Sequence, residues 1–314
     1  MHPQSSEARH TRPTRRTVLG LGLGLGTALA ATGGPALAAP ADGSAGGPGL
    51  QQALAALERE HAARLGVYGR NLATGRTVRY RAGELFPMCS VFKTVAVGAV
   101  LRDLDRDGEF LARRIHYTAE DLARAEGGRI TSEPANLANG MTVAELCGAA
   151  ISYSDNTAAN LLLRELGGPT AVTRFARSIG DRVTRLDRWE PELNSAEPDR
   201  RTDTTTPYAI ARTYDRLALG SALPPAKREL IAGWLRANTT SLHRFREGLP
   251  ADWAVADKTG TGRHGTTNDV GIAWTPGGAP VLLAVLATKP ADEAAAMDEP
   301  LVARTAAVLA SALG

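Results

Sequence analysis

The chain has 314 residues, 43% hydrophobic and 22% charged, with a formal net charge of +3. That balance belongs to a soluble globular protein of one large domain or two modest ones. Arg9, Arg12, Arg15 and Arg16 against Glu7 account for the whole excess within residues 1–38, so charge gives no ground for a nucleic-acid or acidic partner.

In chain order, the first feature is a targeting segment. Thr14-Arg15-Arg16-Thr17-Val18-Leu19 is a twin-arginine pattern, Leu19 to Ala31 is a short Gly-rich apolar region, and Ala36-Leu37-Ala38 fits a signal-peptidase site. The apolar region is too short for a membrane span, and the leader has no cysteine to carry a lipid. Residues 1–38 are expected to be cleaved on export, leaving a secreted chain without stable membrane insertion. Residues 39–49 read as a flexible linker.

Leu50 to Leu65 has apolar residues at helical spacing, and Gly66 to Asn71 with Thr77 to Tyr80 read as a β-hairpin. Val91 to Leu101 is an apolar run expected to form a buried helix. The pattern stays helical from about Asp103 to Leu223, with segments Val143–Ile151, Ala158–Leu166, Pro169–Ile179 and Pro207–Leu219. Gly180 to Thr206 is a long polar stretch with little periodicity, and loops of that length usually carry function or are disordered. Ala254–Ala256, Asn268–Trp274 and Val281–Thr288 read as strands, and Asp292–Leu313 as a closing helix. The expected fold is α+β: one antiparallel sheet built from both chain ends, flanked by helices, with an all-helical insertion between. Cys89 and Cys147, the only cysteines, are read as free thiols, although export would permit a bridge.

Four short patterns carry chemistry. Ser90 and Lys93 lie three residues apart at the start of the apolar helix, hence on one face. A serine there sits near free backbone N–H groups, and a lysine among Val91, Phe92, Val95 and Val97 loses solvation, which favours the neutral base. The alternative is an N-cap serine and a snorkelling lysine. Ser154-Asp155-Asn156 follows the Val143–Ile151 helix and offers a hydroxyl relay and an amide, or simply an N-cap for the next helix. Lys258-Thr259-Gly260-Thr261-Gly262 ends a strand; its glycines admit a ligand to the backbone, Lys258 suits a carboxylate, and the Thr261 N–H suits an oxyanion. Glu190 and Asn194, in the long loop, can hold and activate a water, or belong to a solvated acidic loop. Arg188 and Asp203 bracket that segment; as an exposed pair they would add only about 0–1 kcal/mol.

Taken together and in this order, these residues resemble the class A serine β-lactamases, whose recurring motifs are Ser-x-x-Lys, Ser-Asp-Asn and Lys-Thr-Gly. The resemblance runs through nearly all of the chain after the leader, including Arg113-Arg114-Ile115-His116-Tyr117, Tyr153 to Asn160, Asp203-Thr204-Thr205-Thr206-Pro207 and Asn268-Asp269. It implies a β-lactamase/transpeptidase-like fold over residues 50–314, with an α/β part at 50–88 and 240–314 and a helical part at 89–239. It also implies hydrolysis of penicillin- and cephalosporin-type antibiotics through a serine acyl-enzyme, by a monomer whose partner is the β-lactam itself. No cofactor or metal is implied.

Residue by residue, the resemblance makes Ser90 the nucleophile, with the N–H groups of Ser90 and Thr261 as the oxyanion hole. Either Lys93, or Glu190 through a water, takes the serine proton. Ser154 passes a proton to the lactam nitrogen, and Asn156 orients the acylamide. Glu190 and Asn194 hold the deacylating water. Lys258 and Thr259 bind the substrate carboxylate, helped by Arg244, although Arg246 and Arg263 stand close in sequence.

Two departures bear on specificity and not on the reaction. The loop Ala125 to Glu133 is longer than in many members and lacks their aromatic gate. The cysteine partners some members place at Val97 and Gly262 are absent. A penicillin-binding DD-peptidase shares the nucleophile logic, but is expected to lack the Glu190/Asn194 water site. A β-lactam sensor domain would need a transmembrane signalling segment. Both would give a stoichiometric burst on a chromogenic cephalosporin, where a lactamase turns over.

Overall fold

The computed structural model describes residues 47–314; the expected leader and all but the end of the expected linker lie outside the described residues. Helix α1 (Pro48–Glu60) starts two residues inside that linker, because proline's fixed φ and missing N–H suit the first helical position. It stops short of Leu65: Ala62 turns the chain with φ 46°, and Leu65 is buried in strand β1 (Arg64–Asn71). β2 (Thr77–Tyr80) completes the hairpin.

The expected central helix appears as a 3-10 turn, Cys89–Val91, that runs into α2 (Phe92–Ala99) and a π turn, Val100–Leu104. Then come α3 (Ala119–Arg124), α4 (Val143–Ser152), α5 (Asn156–Leu166), α6 (Thr170–Ser178) and α7 (Pro207–Ala218). A further helix, α8 (Pro225–Arg236), was not anticipated as an element. Pro224-Pro225 reads as a break, yet Pro225 occupies the first turn, where proline is tolerated.

Strands β3 (Ala254–Gly262), β4 (Thr266–Trp274) and β5 (Pro280–Thr288) follow. β3 runs through the whole Lys-Thr-Gly segment instead of ending before it. The last helix, α9 (Glu299–Leu313), begins later than Asp292 because Asp298 is its cap, its side chain accepting from the Leu301 N–H at 3.1 Å.

The main sheet has the order β2-β1-β5-β4-β3 and is antiparallel throughout. The chain ends therefore meet in one sheet, as expected, with β3 at an edge. Side chains alternate across the central strand. Leu283, Val285 and Ala287 pack with Leu54 of α1 and Leu301, Val302 and Leu309 of α9. Ala284 and Leu286 face the other way, into the helical core with Phe92, Val95, Leu146 and Leu162. The apolar run of β5 thus reflects burial on both faces.

A short helix, Phe245–Gly248, closes onto α9 so tightly that a Cβ on Gly248 would lie 1.9 Å from the Ala303 carbonyl oxygen. Overpacking of this kind typically costs about 1–3 kcal/mol. Gly248→Ala is expected to lower the urea midpoint with little change in slope, since the obstruction is helix backbone and cannot rotate away.

Candidate active site

The Ser90 turn is held from three sides. Cys89 sits at φ 47°, a left-handed conformation that a β-carbon resists and that persists only where neighbours enforce it. Asn268 of β4 donates from Nδ2 to the carbonyls of Pro87 (2.9 Å) and Met88 (3.2 Å). The Met88 N–H donates to the Asp203 carbonyl at 2.9 Å, and the Tyr214 hydroxyl of α7 donates to the Val91 carbonyl at 2.9 Å. The strand β3 passes close by. A Cβ on Gly260 would lie 2.9 Å from the Met88 carbonyl oxygen, and one on Gly262 would lie 2.7 Å from both Cys89 Sγ and the Asn194 carbonyl oxygen. Those glycines are what let the strand backbone approach the serine.

Lys93, the second residue of α2, is fully buried. Its Nζ reaches the Ser154 carbonyl (2.8 Å), Asn156 Oδ1 (2.7 Å) and Glu190 Oε1 (3.0 Å), with Ser154 Oγ at 3.4 Å. The burial expected from the apolar flanks is present, but it comes with an anionic partner contributed by a loop far along the chain. Ser90 Oγ donates directly to the same Glu190 oxygen at 3.0 Å. Asn194 Nδ2 donates to Glu190 Oε2, so the two residues face one site across the 3-10 turn Glu192–Ser195.

The two readings of Ser154-Asp155-Asn156 divide between its members. Asp155 caps α5, its Oδ1 accepting from the Ala158 N–H at 2.8 Å, while its Oδ2 accepts from the Ile130 and Thr131 N–H groups at 3.0 and 2.9 Å. Ser154, at φ 57°, and Asn156 turn instead toward Lys93.

Lys258 is fully buried and donates to Ser154 Oγ at 2.9 Å. Burial pushes its pKa well below the usual lysine range, and the positive charges of Lys93 and Arg244 push it the same way, against the attraction of Asp257 and Asp269. Thr259 lies within 2.5 Å of the Thr240 hydroxyl, and Thr261 Oγ1 accepts from Arg244 Nη2 at 2.7 Å.

Of the three candidate arginines, Arg244 is the one at the site. It is buried, spans the Gly260 and Asn268 carbonyls at 3.1 and 2.8 Å, and pairs with Glu299 at 3.0 Å. Arg246 instead pairs with Asp257, and Arg263 with Glu293 at the surface.

The Arg188–Asp203 bracket forms, but not as an exposed pair. Asp203 is buried; Oδ2 accepts from Arg188 Nε at 2.6 Å, and Oδ1 from the Asp187 and Arg188 N–H groups at 2.7 and 3.0 Å. Two supporting contacts, one to the long loop and one to the serine turn, had no legible signal. Asn160 on α5 clamps Glu190 through its backbone, donating to its carbonyl at 2.8 Å and accepting from its N–H at 3.0 Å. Asn268 supports the serine turn as described above. Both residues belonged to recognisable motifs, but their partners are remote in sequence.

Cys89 and Cys147 are free and buried. Desolvation drives the Cys89 thiol far above its ordinary pKa, so it does not compete with the adjacent serine as a nucleophile. The site thus gathers a hydroxyl, a buried Lys93–Glu190 pair, a second hydroxyl on a second buried lysine, and a glycine-lined strand edge. That set suits acyl transfer with a water held for the second half.

Comparison with known proteins places the chain in a family. Residues 49–312 match the β-lactamase enzyme family. A β-lactamase of Streptomyces lavendulae is 62% identical over 304 residues, covering 96% of this chain and 98% of that protein. The solved β-lactamase from Streptomyces albus G superposes with a TM-score of 0.84 at 64% identity, over 85% of this chain and all of that one. An ancestral class A β-lactamase superposes at 0.78 with 51% identity, over 84% of this chain and 99% of that one.

The depressed Lys258 ammonium makes a pH prediction. Below its pKa the side chain is charged and can attract an anion; above it the attraction is lost. The alkaline fall of kcat/KM, which reports the free enzyme, should therefore begin below the usual lysine range. Lys258→Arg should move that fall upward, because guanidinium keeps its proton. A profile in which wild type and variant fall together would assign the limb to another group.

Proposed function

Since the chain belongs to the class A serine β-lactamases, which hydrolyse the β-lactam amide through a serine acyl-enzyme and so confer antibiotic resistance, we propose that Ser90 is the nucleophile and Glu190 its base. The observation that carries the reading is the shared oxygen. Glu190 Oε1 accepts from Ser90 Oγ and lies against Lys93 Nζ, each at 3.0 Å. Lys93 Nζ is engaged by three close acceptors, the Ser154 carbonyl, Asn156 and Glu190, while the Ser90 hydroxyl is directed at Glu190.

As Ser90 Oγ bonds to the lactam carbonyl carbon, its proton passes to Glu190, and the carbonyl oxygen takes negative charge between the N–H groups of Ser90 and Thr261. The C–N bond then breaks as Ser154 gives its hydroxyl proton to the nitrogen. Ser154 is resupplied by Lys93, 3.4 Å away, and Lys93 by Glu190. Glu190 is ionised again when the acyl-enzyme has formed. With Asn194 it orients a water, takes that water's proton as the ester is attacked, and returns a proton to Ser90 as the product leaves. Asn156 orients the acylamide, and Lys258, Thr259 and Arg244 hold the substrate carboxylate.

A pair of variants tests the nucleophile and the base. Ser90→Ala should abolish turnover with the fold intact by circular dichroism. Glu190→Ala should lose the base of both half-reactions: acylation should slow and deacylation should slow further, so that a covalent adduct visible by mass spectrometry builds up and persists. Turnover in the first, or undiminished turnover with no adduct in the second, would refute the assignments.

The same proposal includes export: the leader directs the folded chain through a twin-arginine route, and residues after 38 act outside the cytoplasm as a monomer. Replacing Arg15 and Arg16 with lysines should retain the activity inside the cell. Unchanged activity in the culture fluid would count against that route.

A further inference from the structure

Behind Thr259 runs a hydrogen-bond chain whose direction can be worked out atom by atom. Asn238, which is buried, lies between an obligate donor and a carboxylate. Its Oδ1 accepts from the Thr240 N–H at 3.0 Å, and its Nδ2 donates to Asp257 Oδ2 at 2.8 Å. A backbone N–H can only donate, so the amide oxygen must face Thr240 and the amide nitrogen Asp257, which gives the amide one orientation. Asp257 is itself braced by Arg246 Nη2 at 3.2 Å.

Asn238 Oδ1 also lies 2.7 Å from the Thr240 hydroxyl. A carbonyl oxygen has no proton to give, so the single proton of Thr240 points at it. Thr240 therefore presents lone pairs to Thr259 Oγ1, 2.5 Å away. In this structure Thr259 spends its own proton on Thr240. Turned that way, it shows the cleft only lone pairs, which repel a carboxylate.

We infer that Thr240 is a positioning residue that switches the Thr259 hydroxyl between an inward and a substrate-facing donor. When a carboxylate arrives, the Thr259 O–H rotates toward it and the Thr240 O–H rotates back to donate to Thr259. No proton changes owner. Asn238 Oδ1 releases one of its two donors and keeps the Thr240 N–H, so no buried acceptor is stranded. In the bound arrangement Thr259 accepts from Thr240 while donating to the anion, and hydroxyls in series strengthen each other. The device rests on the reading that Thr259 meets the substrate carboxylate, and the test separates the two claims.

Kinetics of Thr240→Val, Thr240→Ser, Thr259→Val and the double valine variant would be measured on benzylpenicillin and on its methyl ester, which lacks the anion. Thr240→Val is expected to raise KM for benzylpenicillin about three- to tenfold, with kcat within about twofold. Thr240→Ser should restore it, and the ester should show no such loss. In the Thr259→Val background, Thr240→Val should add less than about twofold, the mark of two groups acting through one contact. If valine at 240 prevents folding, Thr240→Ala takes its place.

A benzylpenicillin KM unaffected by Thr240→Val, where Thr259→Val raises it, would overturn the switch and leave the Thr259 contact standing. An unaffected KM in Thr259→Val would remove the contact, and the switch with it. Equal losses on acid and ester, or a full loss in the Thr259→Val background, would reduce Thr240 to packing and overturn the switch.

Discussion

A buried ion pair, Lys93 with Glu190 at 3.0 Å and neither side chain exposed, is the constraint on which the site depends. Taking two charges out of water is expensive, and their attraction compensates only when the remaining donors and acceptors are satisfied. Here they are. The other Lys93 protons go to Ser154 and Asn156, and the other Glu190 oxygen takes Asn194. Losing either charge would leave its partner stranded, so the pair ties the start of α2, the α4–α5 turn and the long loop into one unit. Its cost is consistent with a role in chemistry more than in stability.

That tie would fail if the loop carrying Glu190 could drift. Asn160 fixes the glutamate backbone from α5, and buried Asp203 gathers Arg188 with two loop N–H groups. Beyond the 3-10 turn Glu192–Ser195 and the two-residue strand Thr204–Thr205, the stretch from Gly180 to Thr206 needs little regular structure of its own: side chains satisfy backbone groups that a helix or strand would otherwise pair. On the other side of the serine, closeness is bought by absent side chains. Gly260 and Gly262 let β3 lie against Met88, Cys89 and Asn194, and the left-handed Cys89 aims Ser90 into the resulting gap.

Much of the fold was legible because it follows periodicity. The α4 to α7 helices, the hairpin and the central β5 strand lie within a few residues of their expected limits. The misplacements have local causes. Leu65 fits a helical stripe and a strand equally well, and went to the strand. Pro225 resembles a stop but starts α8. The Lys258–Gly262 segment lacks apolar residues, yet continues β3 because pairing with β4 carries it to Gly262↔Thr266.

By itself the sequence nominated the candidate residues and the elements that present them, since helix and strand periods are local and the motif spacings lie within one turn or one strand. Only the tertiary structure decided partnership. It chose Arg244 over Arg246 and Arg263, split Ser154-Asp155-Asn156 between cap and site, buried Asp203, and joined Thr259 through Thr240 to Asn238. Ser90 and Glu190, bonded here, are 100 residues apart, and Ser154 and Lys258 are 104 apart. Contacts across such separations depend on how whole elements pack, and no local pattern encodes that.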